Sequence, residues 1–214
     1  MKNVLLTFVD WVYKTKCYIC SATYENKKLC SSCYDKIELF TARANRILCG
    51  KNVFCACEYS DIVQKIIRGL KYHNQRALAY YQARIMFDYW QKLNKTENFV
   101  IVPVPLSKER LKHRKYNHME LVAEEFSRLT GYDVDTQLIV RIKDTKPQYK
   151  LTRKQRLENL QNAFDVHIEN YSGKPLLIID DICTTGATFE SMICELKKHG
   201  IERIICFATS TPIS

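Results

Sequence analysis

Glycine and proline are scarce, six and five among 214 residues, so no flexible linker announces a domain border. No internal repeat and no low-complexity segment is present. No apolar run approaches the ~18–20 residues of a membrane span. The opening MKNVLLTFVDWVYK also lacks the marks of a signal peptide: Asp10 and Lys14 interrupt it and no small-residue cleavage site follows. Val4, Leu5, Phe8, Trp11 and Val12 instead make the stripe of an amphipathic helix, expected to pack on the protein itself. These absences predict a cytoplasmic chain without a transmembrane segment.

What is present is a globular composition, 46% hydrophobic and 26% charged, long enough for one core plus a small appendage. The net charge of +10 favours polyanions: nucleic acid, phosphorylated metabolites or an acidic membrane surface. Ten cysteines without an export signal argue against a disulfide framework. Four of them stand in CYICSATYENKKLCSSC as Cys17-x2-Cys20 and Cys30-x2-Cys33. Two such pairs let four thiolates converge tetrahedrally, and a closed four-sulfur shell predicts structural zinc; reduced, unliganded thiols are the alternative. A segment this small would owe its fold to the metal. Cys49, Cys55 and Cys57 surround a strand-like VFCACEY and are read as packing residues, a second metal site being the minor alternative. Cys194 and Cys206 are read as core.

The stretch LLIIDDICTTGAT, residues 176–188, carries the strongest chemical signal. Its apolar run suits a central parallel strand covered on both faces. Asp180 and Asp181 are expected to mark that strand's C-terminal end, because an unpaired buried carboxylate is very costly. Ligands of open α/β sheets bind beyond such ends. Phe189, Met192, Ile193 and Leu196 then recur with helical spacing, closed by Lys197, Lys198, His199 and Gly200, and residues 203–209 read as a further strand. Thr184, Thr185, Gly186, Ala187 and Thr188 would therefore open onto a helix N-terminus, a site for phosphate. The two carboxylates want hydroxyl donors or a divalent cation. Phosphate, diol and metal together describe a ribose phosphate; a plain βα turn with acidic caps is the alternative.

Earlier in the chain, residues 60–75 are expected to be helical through Leu70, a longer helix covers about 76–93, and a strand from residue 99 stops at Pro103 and Pro105. A charged loop follows, with net charge +4 over residues 108–115, and then a helix with Met119, Val122, Ala123, Phe126 and Leu129 on one face and Gly131 at its end. Residues 141–156 carry a further +6. Together these windows equal the whole excess charge, beside the inferred ligand site. The second could close over a pyrophosphate or follow a nucleic-acid backbone; a basic surface loop is the alternative.

The acidic loop resembles the phosphoribosyl-pyrophosphate loop of type I phosphoribosyltransferases. In order, a doubled CxxC, IIRGLKY, VPVPLSKERLKHRKYNH, TKPQYKLTRKQRLENLQNAF and LLIIDDICTTGAT resemble the ComF family of competence proteins over nearly the whole chain. The resemblance implies an α/β fold: a mostly parallel sheet flanked by helices in residues 49–214, preceded over residues 1–48 by an amphipathic helix and a zinc-finger module. It implies that Asp180 and Asp181 bind the ribose 2′- and 3′-hydroxyls, that Thr184 to Thr188 cradle the 5′-phosphate, and that Lys108, Arg110 and Arg114 face the pyrophosphate with Mg²⁺. Gln148, Leu151, Arg156, Asn159, Ala163 and Phe164 match the family's hood segment. Lys143, Lys146, Gln148, Lys150, Arg153, Lys154 and Arg156 are its candidate hood or DNA contacts. Two departures stand out: Lys115 where the family often has glycine in Arg-Gly-Phe/Tyr-Asn-Gln, and Ser21 where glycine usually follows the second cysteine.

The expected function is therefore DNA uptake in natural transformation, binding phosphoribosyl pyrophosphate with Mg²⁺ and handling single-stranded DNA, at or near the inner face of the cytoplasmic membrane. Two alternatives stay open: an active phosphoribosyltransferase with unknown acceptor, and an adaptor whose zinc module docks a DNA-uptake helicase or inner-membrane channel.

Overall fold

The computed structural model describes residues 14–25, 28–143 and 162–213. The N-terminal stripe, and Lys146, Gln148, Lys150, Arg153, Lys154 and Arg156 of the hood segment, lie outside the described residues. No described helix is long and apolar enough to cross a membrane.

The short strands β1 (Lys14–Lys16) and β2 (Thr23–Glu25) pair antiparallel, with Cys17 and Cys20 between them. Cys30 precedes a single helical turn, α1 (Ser31–Tyr34), which carries Cys33. Next come β3 (Arg46–Leu48), β4 (Lys51–Glu58), α2 (Asp61–Tyr72) and α3 (Leu78–Trp90). β5 (Val100–Pro103) leads into α4 (Lys108–Arg114), α5 (His118–Thr130) and the short β6 (Asp133–Val134). β7 (Ile139–Arg141) and β8 (Phe164–Val166) form an antiparallel ribbon in which Arg141 lies opposite Phe164. The chain closes with β9 (Leu176–Ile182), α6 (Ala187–Lys198) and β10 (Ile204–Thr211).

The main sheet has the order β3-β4-β10-β9-β5-β6. All its neighbours run parallel except the antiparallel edge pair β3 and β4. Residues point alternately to the two faces of a strand, and both faces here are covered. Phe54, Ile101, Leu177, Ile179 and Phe207 join the cluster under α2, α3 and α5, while Val53, Val102, Ile178, Cys206 and Ala208 join the cluster under α6 and the β7–β8 ribbon. Continuous apolar runs follow from this two-sided burial. The four apolar residues foreseen on α6 are all buried. Cys55, Cys57 and Cys206 are core residues, at most 1% exposed.

Three expectations change. β9 runs on through both aspartates to Ile182, and Asp181 is only 4% exposed. It enters the core because cationic and imidazole partners meet it there. The charged segment after β5 is a helix, not a loop: Ser107 accepts a hydrogen bond from the Arg110 amide as its N-cap. Cys194 is exposed on α6 rather than buried, its sulfur 3.5 Å from that of Cys49.

Candidate functional site

Beyond the C-terminal ends of β9 and β5 lies a cavity of about 260 Å³, walled by the β9–α6 turn, by Arg110 and Arg114 of α4, and by Lys71, His118 and Arg141. Parallel packing fixes its floor. Pro103 pairs with Ile179 in register, and the Val104 amide donates to the Ile179 carbonyl at 3.0 Å, so the two strands release their chains side by side. Asn117 fastens the next wall: its side-chain oxygen caps the Met119 amide at 3.0 Å, and its Nδ2 donates to the Val104 carbonyl at 3.1 Å. That double bond holds the first residue of α5, His118, under β9.

At the floor, Asp181 Oδ2 accepts from Lys71 Nζ and, at 2.6 Å, from His118 Nε2. Burial alone would raise the Asp181 pKa. The Lys71 ammonium and the His118 hydrogen bond outweigh it and hold the carboxylate well below its usual range. His118 is itself held below its ordinary value by burial. A neutral imidazole has one N–H. Here Nε2 donates it to Asp181, so Nδ1, which has no hydrogen-bond partner among the described residues, carries the lone pair. The neighbouring Asp180 has the opposite fate. Burial, and then the Asp181 charge, push its pKa well up, so one acid is anionic and the other near neutral. A neutral carboxyl can both donate to and accept from a sugar hydroxyl.

The turn above the carboxylates is propped from outside. Arg46 of β3 donates to the Thr184 carbonyl at 2.7 Å. Gly186, with φ +82°, fills the residue before α6, and a Cβ there would come within 2.5 Å of Leu48 Cδ1. Glycine is thus required twice over, by backbone sign and by close approach. α6 begins at Ala187, so its positive dipole end faces the cavity. Cys183 lies buried under the turn, where a hydrogen bond from the Cys55 thiol lowers its pKa.

The fold thus brings together Asp180, Asp181, Thr184, Thr185, Gly186, Ala187, Thr188, Arg110 and Arg114. Lys108, at the start of α4, does not line the cavity, and Lys143 is an exposed residue past β7. Sequence reasoning missed Lys71, His118, Arg141 and Arg46 as site residues. Arg141 is 7% exposed, with its guanidinium 5.6 Å from the Phe164 ring centroid. Lys71 and His118 both sit inside segments that carried the resemblance, and that was the available signal.

Lys115, at the α4 C-cap, adopts φ +65°, and Ser21, in the cysteine turn, φ +62°. The two positions where glycine is replaced thus keep the left-handed backbone that glycine favours.

At the other end of the described chain, the sulfurs of Cys17, Cys20, Cys30 and Cys33 lie within 4.8 Å of one another and could hold a metal ion. The Cys30 amide points at Cys17 Sγ, 3.5 Å away, as a donor to a thiolate would. This donor set fits a tetrahedral, thiophilic divalent ion.

A family model described as "Phosphoribosyl transferase domain" matches residues 119–211. "Competence protein F" of Haemophilus influenzae is 28% identical over 152 residues, 68% of this chain and 66% of that protein. "DNA utilization protein YhgH" of Escherichia coli is 26% identical over 198 residues, 86% of this chain and 85% of that one. "Competence protein ComFC" of Bacillus subtilis is 24% identical over 226 residues, 87% of this chain and 91% of that one. The chain thus carries a match to a phosphoribosyl transferase domain over residues 119–211 and is similar to competence and DNA-utilization proteins, ComFC among them, over most of its length.

Proposed function

We propose that this protein serves DNA uptake in natural transformation, that its cavity binds phosphoribosyl pyrophosphate with Mg²⁺, and that it handles single-stranded DNA. The observation that carries the ligand reading is one cavity holding an ionised and a near-neutral carboxyl, a helix N-terminus and the Arg110 and Arg114 guanidiniums. Asp180 and Asp181 take the ribose hydroxyls. The Thr184–Thr188 turn and the dipole end of α6 take the 5′-phosphate. Arg110, Arg114 and Arg141 neutralise the pyrophosphate, whose oxygens would carry the Mg²⁺. The relatives' printed names, concerning competence and DNA utilization, support the biological setting. Net charge +10 supports the affinity for a polyanion.

Lys71 has a particular part. It holds Asp181 in the free protein, so a ribose hydroxyl donating to Asp181 would release Lys71 towards the ligand's phosphates. Cys17, Cys20, Cys30 and Cys33 hold one structural zinc, which would fold a segment too short to do so by burial. The proposed module packs Cys17, Leu29, Cys30 and Cys33 into the α2–α3 cluster of the larger proposed domain.

Calorimetry with phosphoribosyl pyrophosphate and Mg²⁺ tests the reading. Heat of binding that disappears in Asp180→Ala/Asp181→Ala is expected; no heat from the unaltered protein overturns it. Pyrophosphate release on adding candidate acceptors would show turnover in addition to binding.

A further inference from the structure

Beside the sugar-phosphate cavity lies a second one, of about 280 Å³, which shares Lys71 and Arg114 with it. Tyr72, Arg76, Lys115 and Tyr116 build the rest of the wall that matters, and no carboxylate among the described residues lines it. A space bounded by cations without acids cannot hold a metal ion; it selects an anion.

The aromatic groups narrow the choice. Tyr72, the last residue of α2, is 63% exposed, with the Arg68 guanidinium 6.0 Å from its ring centroid. The Arg114 guanidinium lies 5.1 Å from its ring centroid. Opposite, the Arg76 guanidinium lies 4.6 Å over the Tyr116 ring. Tyr116 is itself fixed, its hydroxyl donating to the Leu70 carbonyl. An open tyrosine and a guanidinium plane backed by a second tyrosine are both stacking surfaces for a nucleobase. Asn74 (φ +50°) and Lys115 (φ +65°) turn the chain in the left-handed conformation just past the two helices that border the cavity.

We propose that this second cavity is the nucleotide-stacking subsite for single-stranded DNA. One base lies on Tyr72 or the Arg76 plane, and its flanking phosphodiester meets Lys71, Arg114 and Lys115. The inference rests on the single-strand reading above and gives it an address. A duplex is excluded by the same geometry, because a paired base offers no free face. Lys71 and Arg114 belong to both cavities, so occupants of the two compete for the same cations, and phosphoribosyl pyrophosphate weakens strand binding.

The test uses the full zinc-loaded chain and a fluorescein-labelled oligothymidylate of about a dozen nucleotides, read by anisotropy, with calorimetry of phosphoribosyl pyrophosphate alongside. Tyr72→Ala is expected to weaken the oligonucleotide by roughly five- to a hundredfold, and Tyr72→Phe to leave it unchanged, because stacking needs the ring and not the hydroxyl. Arg76→Ala is expected to weaken it through loss of the stacking plane. Arg76→Ala should leave phosphoribosyl pyrophosphate binding unaltered. Oligonucleotide affinity within twofold of the unaltered protein in both Tyr72→Ala and Arg76→Ala overturns the subsite and leaves strand binding elsewhere standing. Equal competition by a duplex or by polyglutamate overturns it too. No oligonucleotide binding by the unaltered protein overturns both the subsite and the single-strand reading. Absent calorimetric heat with the Tyr72→Ala effect intact overturns only the sugar-phosphate reading.

Discussion

Cys17, Cys20, Cys30 and Cys33 come from one short stretch of chain, whereas the cavity draws Lys71, Arg114, His118, Arg141 and Asp181 from five separate elements. Among its described residues, the cysteine segment buries Cys17, Leu29, Cys30 and Cys33 in the cluster beneath it, with Tyr18, Ile19 and Tyr34 packed against them. The cavity stands on a sheet with both faces covered. A region with so little burial of its own would depend on bonds to the ion that its four sulfurs could hold. A region assembled by topology depends on the packing of everything that delivers its walls. The two should therefore fail separately, and under different insults.

The largest expected effect is loss of the metal. Structural zinc in small modules is worth on the order of 10 kcal/mol of folding free energy. Cys30→Ser, or removal of zinc by a chelator, should abolish the zinc content. Amides of residues 14–34 should then exchange rapidly while β9 and β10 stay protected in hydrogen-exchange mass spectrometry. Equal loss of protection in the central strands would show that the two regions are one cooperative unit. The contacts that make this a real contest are few and specific: Tyr18 donates or accepts at His73 Nδ1 at 2.6 Å, and Tyr34 donates to Asp88 at 2.8 Å.

Asp181→Asn is the matching insult to the cavity. It removes the partner of Lys71 and His118 and leaves a largely buried ammonium without its counter-charge. Breaking such a pair costs on the order of 3 kcal/mol. Denaturant unfolding should show that loss with zinc content unchanged. A variant as stable as the unaltered protein would mean that Lys71 swings freely to solvent.

The same contrast explains what could be read in advance. Two CxxC pairs announce a four-sulfur cluster because ligand spacing is local. The apolar run 176–179 and the helix face Phe189, Met192, Ile193 and Leu196 are local periodicities, and β9 and α6 follow them. Asp181 was misjudged because a carboxylate's burial depends on its partners. Those partners, Lys71 and His118, lie 110 and 63 positions away in the chain. Nothing near residue 181 encodes them; the parallel register of β5 with β9 and the Asn117 cap do. Arg46 is likewise visible only once β3 is paired to β4. The basic segment after β5 reads as a loop in the sequence because its charges hide any apolar stripe. Ser107, with Glu109 in the first turn and Lys112, His113 and Arg114 in the last, is nevertheless a good helix-capping pattern.

Gly186→Ala strikes the cavity at its turn. The left-handed backbone should cost about 1–2 kcal/mol, and the 2.5 Å approach should shift Leu48 or the turn and so weaken the proposed phosphate subsite. Thermal unfolding and calorimetry should both register it, and the cysteine module should not.

Acid should separate the regions further. Burial holds His118 below its ordinary value, so the folded protein keeps it neutral where the unfolded chain protonates it. The stability this carries is complete above about pH 6.5 and is lost as the pH falls below it. Asp181, also held low, adds a second loss at still lower pH, below about 4. Asp180, pushed up to about 8, works against this between pH 7.5 and 5.5, because the folded protein binds a proton there that the unfolded chain does not. His118→Gln should therefore tilt the slope over that range towards greater stability on acidification, whatever its effect on absolute stability. An unchanged slope would assign the titration to another group.

The smallest expected effects come from a feature the two regions share. Ser21 turns the chain behind Cys20, its amide donating to the Cys17 carbonyl at 2.8 Å. Lys115 turns it at the end of α4, its amide donating to the Leu111 carbonyl at 2.7 Å. Both hold a positive φ that costs an L-residue about 1 kcal/mol. Glycine removes that strain but widens the unfolded ensemble, so each replacement should gain only about 0.5 kcal/mol. For a chain of this length that is a rise of roughly 1–2 °C in melting temperature. Ser21→Gly should gain it only in zinc-loaded protein if the proposed metal closes the turn it eases. Lys115→Gly should gain it with or without zinc, while weakening the oligonucleotide by the loss of one cation. A lysine kept at a strained position against that gain is kept for its charge. If Lys115→Gly binds the oligonucleotide as tightly as the unaltered protein, the strain has no such use.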